Sequence, residues 1–195
     1  MPMQKIGILS IQGDIEEHRE ALINASNATG ERMACLLVKS AKECEGLDGL
    51  VIPGGESTTM AFHMGEELRS AIKKMPKLFG TCAGLIIIAK RIADCPTWQV
   101  PLGLLDVEVR RNTYGSQIDS FEAELETKFG KMKGIFIRAP TIEKIGVGVE
   151  VLASFRGKPV AVYQPDAGNG KPKIIGAAFH PELSTTKFHE FFLKI

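Results

Sequence analysis

Four short apolar runs constrain this chain most: "KIGILSI" (Lys5–Ile11), "MACLLV" (Met33–Val38), "LDGLVIPGG" (Leu47–Gly55) and "KLFGT" (Lys77–Thr81). They are too short for core helices. They are also almost continuously apolar rather than alternating, which is the pattern of strands buried on both faces. Helical segments separate them. Asp14 has Glu17 three positions on, a variant of the capping box, and opens a helix to about Ala28, with Gly30 where a helix stop belongs. A second helix is expected from Ser57 or Thr58 to about Lys74, and a third over "AGLIIIAKRIA" (Ala83–Ala93). The order strand, helix, strand, strand, helix, strand, helix predicts an α/β chain with a mainly parallel central sheet flanked by helices. Right-handed crossovers bring the strand ends to one edge, and sites in such sheets form outside the carboxyl ends. Gln12–Gly13, Gly54–Gly55 and Cys82 all fall at those ends.

The second half has a different texture. "LLDVEVRRNT", "QIDSFEAELET", "GIFIRAP", "EVLASFRG" and "PVAVYQP" read as short strands joined by turns, a small antiparallel elaboration. "KPKIIGAAFH" then returns a core strand and "STTKFHEFFLKI" a terminal helix, while "PDAGNGKPK" reads as a hairpin tip. No repeat or linker interrupts the 195 residues, so one domain over 1–195 is expected.

Charge and cysteine usage exclude several classes. With 24 basic and 23 acidic residues the net charge is +1, which gives no electrostatic case for nucleic acid or an anionic membrane. The start, "MPMQKIGILSIQGD", enters a strand at once and has no leader pattern. No apolar run approaches the roughly 20 residues that span a bilayer. A cytoplasmic location is therefore expected. Cys35, Cys44, Cys82 and Cys95 include no C-x-x-C pair, so each thiol is judged alone.

Cys82 is the thiol with a setting. Gly80-Thr81-Cys82-Ala83-Gly84 matches the nucleophile elbow, a sharp strand–turn–helix junction with small residues two positions either side of the nucleophile. A larger side chain at either glycine would collide with the neighbouring strand or helix. The same five residues also suit a buried structural cysteine at a tight turn. A nucleophile needs a base. His18, His63 and His189 lie within expected helices and read as surface or packing residues, whereas His180 ends a strand and precedes Pro181 and Glu182. The proline biases His180 toward extended backbone, and residues two apart on such a segment point the same way. Glu182 then reaches one ring nitrogen and leaves the other for Cys82, a nucleophile–base–orienter set. An oxyanion would be met by the Ala83 backbone N–H and by a second donor from "PGGEST" (Pro53–Thr58). That loop lacks the G-x-x-x-x-G-K-[ST] pattern of a phosphate cradle. "HPE" lacks metal-ligand spacing, so neither metal nor cofactor is expected.

"PGGEST", "GTCAG" and "FHPE", in this order, resemble class I (triad) glutamine amidotransferases. "GILSIQGDIEEH", "GLLDVEVRRNTYGSQIDSFE" and "FIRAP" narrow the resemblance to the PdxT/SNO family, the glutaminase subunits of pyridoxal 5′-phosphate synthase, from about Ile6 to Leu183. The resemblance implies a flavodoxin-like class I glutamine amidotransferase fold. It implies Cys82 as nucleophile, His180 as acid and base, and Glu182 as orienter. It implies an oxyanion site at Gly55 and Ala83, and glutamine held by Gly55, Glu56, Ser57, Arg111, Ile137 and Arg138, with the doubled arginine leaving Arg110 as a rival to Arg111. The implied reaction hydrolyses L-glutamine to glutamate and ammonia through a cysteine thioester. The implied partner is a (β/α)₈-barrel synthase subunit in a large hetero-oligomer, touching Gln12, Gly13 and the helix after Asp14. Two other readings share parts of the pattern. A glutaminase serving another acceptor, such as imidazole glycerol phosphate synthase, would lack "RNTYGSQIDSFE". A DJ-1/PfpI-type protein would place a histidine directly after the elbow cysteine, where this chain has Ala83. A purely binding role would leave the complete triad unexplained. Cys95 and Trp98, in "RIADCPTWQVP", receive no role.

Overall fold

The structure, a computed structural model, describes residues 2–93, 100–111, 120–166 and 170–195. The apolar runs form parallel strands β1 (Gln4–Leu9), β2 (Met33–Val38), β3 (Gly49–Ile52) and β4 (Lys77–Thr81), joined by β12 (Lys173–Ala177). Antiparallel strands continue the same sheet: β11 (Lys158–Gln164), β10 (Glu150–Phe155), β7 (Ser120–Thr127) and β8 (Met132–Ile137). The spatial order is β2-β1-β3-β4-β12-β11-β10-β7-β8. β12 is the seam, parallel to β4 and antiparallel to β11. The fold is α/β, as expected, and the antiparallel strands prolong the main sheet. A separate three-stranded sheet holds β5 (Ala89–Ala93), β6 (Leu105–Arg110) and β9 (Thr141–Ile145).

Alternate residues of the parallel strands feed two cores. Leu50, Ile52, Leu78 and Ile174 pack toward α2 (Ser57–His63), α3 (Glu66–Ile72), α4 (Ala83–Ile88) and the small sheet. Ile6, Ile8, Val51, Phe79 and Ile175 pack toward α1 (Ile15–Thr29) and α5 (Lys187–Lys194). Both faces of β1, β3, β4 and β12 are thereby covered, which is why these strands carry no polar alternation. At the end of the sheet away from the elbow, Lys77 Nζ donates to the carbonyl oxygens of Phe192 (2.9 Å) and Leu193 (3.4 Å), satisfying the end of α5.

Three local expectations change. The helix expected from Ser57 to Lys74 is two helices, broken at Met64, which is extended (φ −87°, ψ 93°), and at Gly65. Met60, Met64, Leu68 and Ile72 all reach one core across the break, and glycine, with a helix propensity lower than that of every residue but proline, resists it little. The helix expected over Ala83–Ala93 ends at Ile88, and Ala89 begins β5, paired with Leu105 of β6. The N–H groups of Leu102, Gly103 and Leu104 donate to the carbonyls of Ile87, Ala89 and Ile88 and so take the place of further helical turns. Asp14 does precede α1, but its side chain makes no capping hydrogen bond; it is drawn to His180 instead. The Cys95–Trp98 segment, the run from Asn112 to Asp119 and the middle of the "PDAGNGKPK" tip lie outside the described residues.

Candidate active site

β4 and β12 run side by side in register, with Thr81 opposite Ala177. Cys82 follows β4 directly and His180 lies three residues beyond β12, so the sheet itself delivers both to one edge. The Cys82 N–H donates to the Ala177 carbonyl at 2.8 Å. Cys82 has φ 47° and ψ −102°, a backbone few non-glycine residues adopt. The neighbouring glycines are steric necessities. A Cβ at Gly84 would sit 1.9 Å from the Ile52 carbonyl oxygen, and one at Gly80 would sit 2.7 Å from the Gly84 carbonyl carbon.

His180 is 3% exposed. Its Nδ1 lies 2.7 Å from Glu182 Oε1 and 3.1 Å from Asp14 Oδ2. The Glu182 contact forms although Pro181–Leu183 is a short 3-10 turn rather than extended chain. Nε2 is buried and makes no hydrogen bond of ordinary length, and the Cys82 sulfur is its neighbour. Burial opposes the imidazolium, but Asp14, Cys82 and Glu182 together outweigh it and push His180 up to about 12. Burial pushes the Glu182 carboxyl up, with the His180 imidazolium acting against that rise. Asp14, His180 and Glu182 bring three ligand-type atoms within 4.8 Å of one another. A protonated Nδ1 has no lone pair for a cation, so the cluster is suited to holding a proton rather than a metal.

A cavity of about 210 Å³ opens beside the sulfur. That is below the roughly 300–1,000 Å³ typical of drug-sized ligands and suits an amino acid. Its lining brings together Cys82, Ala83, His180, Gly55, Glu56, Ser57, Arg111, Ile137 and Arg138. Asp14 and Ile86 also line it, two residues to which no sequence pattern gives a place in a substrate pocket. Glu182 sits behind His180, with its side chain sealed from solvent. The Ile137 carbonyl oxygen lies 3.7 Å from Cys82 Sγ.

The Gln12–Gly13 stretch is wedged against the Gly54–Gly55 turn. The Glu56 N–H donates to Gln12 Oε1 at 2.9 Å. A Cβ at Gly13, which has φ 114°, would sit 1.7 Å from the Gly54 carbonyl oxygen. A Cβ at Gly54 would sit 2.4 Å from the His180 ring. Two glycine-bearing segments therefore stack against each other beside the candidate base with no room for side chains. Among the remaining candidates, His63 is exposed, as a surface residue would be, while His18 and His189 are fully buried. Burial raises the Cys35 and Cys44 thiols, so neither resembles a reactive thiolate.

Comparison with known proteins places this geometry. The chain is 46% identical to the pyridoxal 5′-phosphate synthase subunit PdxT of Oenococcus oeni, over 98% of this chain and 96% of that one. It is 43% identical to the protein of the same name from Kosmotoga olearia, over 97% and 96%. A solved structure described as a glutamine amidotransferase superposes with a TM-score of 0.82 at 39% identity, covering 97% of each chain. A solved structure described as a GMP synthase protein from Thermoplasma acidophilum, at 18% identity, shares the fold with a TM-score of 0.68, over 100% of this chain and 94% of that one. The profile of the SNO glutamine amidotransferase family matches residues 8–195, and the chain belongs to that family.

Proposed function

We propose that the chain, as one glutaminase domain, hydrolyses L-glutamine to L-glutamate and ammonia as the glutaminase subunit of pyridoxal 5′-phosphate synthase, with Cys82, His180 and Glu182 as its catalytic triad. The observation that carries the residue assignments is the meeting of Cys82 and His180 at one small cavity, with Glu182 2.7 Å behind the imidazole.

The chemistry follows from that arrangement. The thiol proton already rests on Nε2 of the His180 imidazolium, and the thiolate attacks the side-chain amide carbon of glutamine. The carbonyl oxygen gains the electron pair and is met by backbone N–H groups at Ala83 and Gly55. The tetrahedral species collapses as His180 returns a proton to the departing nitrogen, releasing ammonia and leaving a γ-glutamyl thioester. Water then gives a proton to His180 and attacks the thioester, and glutamate departs as Cys82 is restored. Glu182 keeps the ring in the tautomer that presents Nε2 to the sulfur. Arg111 and Arg138, at the cavity rim, suit the carboxylate of the substrate, while Glu56 and Ser57 face its polar end. Ile137 forms a wall beside the sulfur.

Ammonia released into water would be protonated and lost as a nucleophile, so direct transfer to a (β/α)₈-barrel synthase subunit in a hetero-oligomer fits this product. Gln12, Gly13 and Asp14 are suited to receive that partner, since they touch both the Gly54–Gly55 turn and His180. Docking there would pass directly to the oxyanion loop. The test is Cys82→Ala assayed with the barrel subunit. Glutamine-fed pyridoxal phosphate formation should vanish while ammonium-fed synthesis survives. Retained glutamine-fed synthesis would end the assignment, and an isolated chain as fast as the complex would end the coupling.

A further inference from the structure

Behind the triad lies a second set of polar groups that none of the steps above uses. His18, on α1, and His189, on α5, are both fully buried. His18 Nδ1 is 2.9 Å from His189 Nε2. His18 Nε2 is 2.9 Å from Thr81 Oγ1 and 3.5 Å from Glu182 Oε2. Glu182 Oε2 and His189 Nδ1 are both buried and make no hydrogen bond. Both rings stand edge-on to Phe79, with centroids 6.0 and 5.2 Å away, so no water-filled space adjoins them on that side.

The tautomers follow from these contacts. Burial holds His18 well below its usual range, with His189 and His180 adding to the effect, and burial lowers His189 to about 3, so both rings are neutral. Each neutral ring carries one N–H. If His189 carried it on Nδ1, that donor would be buried without a partner, and His18 Nε2 would turn a lone pair toward the Glu182 carboxylate. If His189 carries it on Nε2, it donates to His18 Nδ1. His18 then carries its proton on Nε2, where it donates to Thr81 Oγ1 and turns its positive edge toward Glu182 Oε2, 3.5 Å away. Only a bare acceptor at His189 Nδ1 is left over, and that costs less than a buried unmet donor together with a lone pair turned on a carboxylate.

We propose that His18, locked as the Nε2–H tautomer by His189 and hydrogen-bonded to Thr81, the residue before the nucleophile, is a positioning residue for the triad: its N–H edge, 3.5 Å from the outer oxygen of Glu182, holds that carboxylate electrostatically. The inner oxygen is thereby fixed 2.7 Å from His180 Nδ1. One N–H thus links the orienter of the base to the strand that carries the sulfur. This inference rests on reading Glu182 as the orienter of a catalytic His180.

The experiment measures glutamate release by the full chain in the presence of the barrel subunit, with folding checked by near-ultraviolet circular dichroism. His18→Phe keeps the ring and deletes both nitrogens. It should lower kcat about 10- to 100-fold, as displaced catalytic groups do, with KM changed less than about twofold. His18→Gln retains an N–H near the Nε2 position and should restore most of that loss. His189→Phe frees the tautomer and should lower kcat by a smaller factor. Adding His18→Phe to Glu182→Ala should cost nothing beyond Glu182→Ala alone. The proposal is overturned if folded His18→Phe keeps its kcat, if the two losses multiply, or if His18→Gln does no better than His18→Phe. His18→Phe failing to fold leaves the decision to His18→Gln and His189→Phe; His18→Gln failing to fold assigns His18 a packing role and overturns the proposal. Failure of the underlying reading is separate: there Cys82→Ala itself would retain glutamine hydrolysis.

Discussion

The two halves of the nine-stranded sheet do different work. In the parallel half, β3 and β4 are buried at every residue and β12 at four of its five. In the antiparallel half, β7 alternates, with Glu122, Glu124 and Glu126 outward and Leu125 inward. β3, β4 and β12 are packed on both faces and tolerate a strained cysteine and glycine-only contacts, because their surroundings over-determine the backbone. β7 and β8, at the outer end of the antiparallel half, have solvent on one face, and that half supplies a single wall to the cavity, through Ile137 and Arg138 at the end of β8. The difference teaches where precision is stored: in the strands whose every position is enclosed.

The largest effect that would break this comparison is Gly84→Ala. The added carbon meets the Ile52 backbone at 1.9 Å, and α4 has no direction in which to retreat. A loss of about 3 kcal/mol, the upper end for overpacking, is expected in urea unfolding; a loss below 1 kcal/mol would mean that the enclosed half yields.

A medium effect concerns protons. His18 and His189 have folded-state pKa values below the ordinary 6.5, His189 at about 3. As pH falls through 6.5, the unfolded chain takes up these protons before the folded chain does. Stability should therefore drop from about pH 6.5 toward pH 3, by up to about 1.4 kcal/mol per pH unit for each histidine. His189→Phe should flatten that slope in denaturant titrations at stepped pH, and an unchanged slope would show that the buried ring is not the source. His180 works in the opposite sense. Raised to about 12, it contributes fully below 6.5 and loses that contribution as pH climbs toward 12.

The smallest effect belongs to the open half. Lys133 and Glu122 pair across β7 and β8 at 2.8 Å, both more than half exposed. Lys133→Ala should change stability by less than about 1 kcal/mol and leave glutamine hydrolysis untouched. A larger loss would sharpen the view of this half into something more rigid.

Legibility in the sequence divides along the same line. The elbow is readable because its glycines answer a local steric demand, and "HPE" because partners two residues apart meet locally, although through a 3-10 turn and not the extended chain expected. The parallel strands declare themselves by unbroken apolar runs. What stays hidden depends on distant partners. "IIIAKRIA" has a helical look, and only pairing with Leu105 turns Ala89 into a strand. Asp14 carries the spacing of a cap, yet its carboxylate finds a histidine 166 residues away, across the seam of the sheet. His18 and His189 read as surface or packing residues because no local pattern distinguishes a buried imidazole pair from two ordinary helix positions. Their meeting depends on α1 and α5 packing side by side.

One consequence follows from the in-register pairing of β4 with β12. Cys82 and His180 leave adjacent strands one and three residues past the paired rung Thr81–Ala177, so both start from a main-chain spacing of about 4.8 Å that the sheet sets. Loops at the far rim of the pocket are then free to diverge in length and chemistry, accommodating new companions, while the two departure points stay fixed for as long as those strands stay joined.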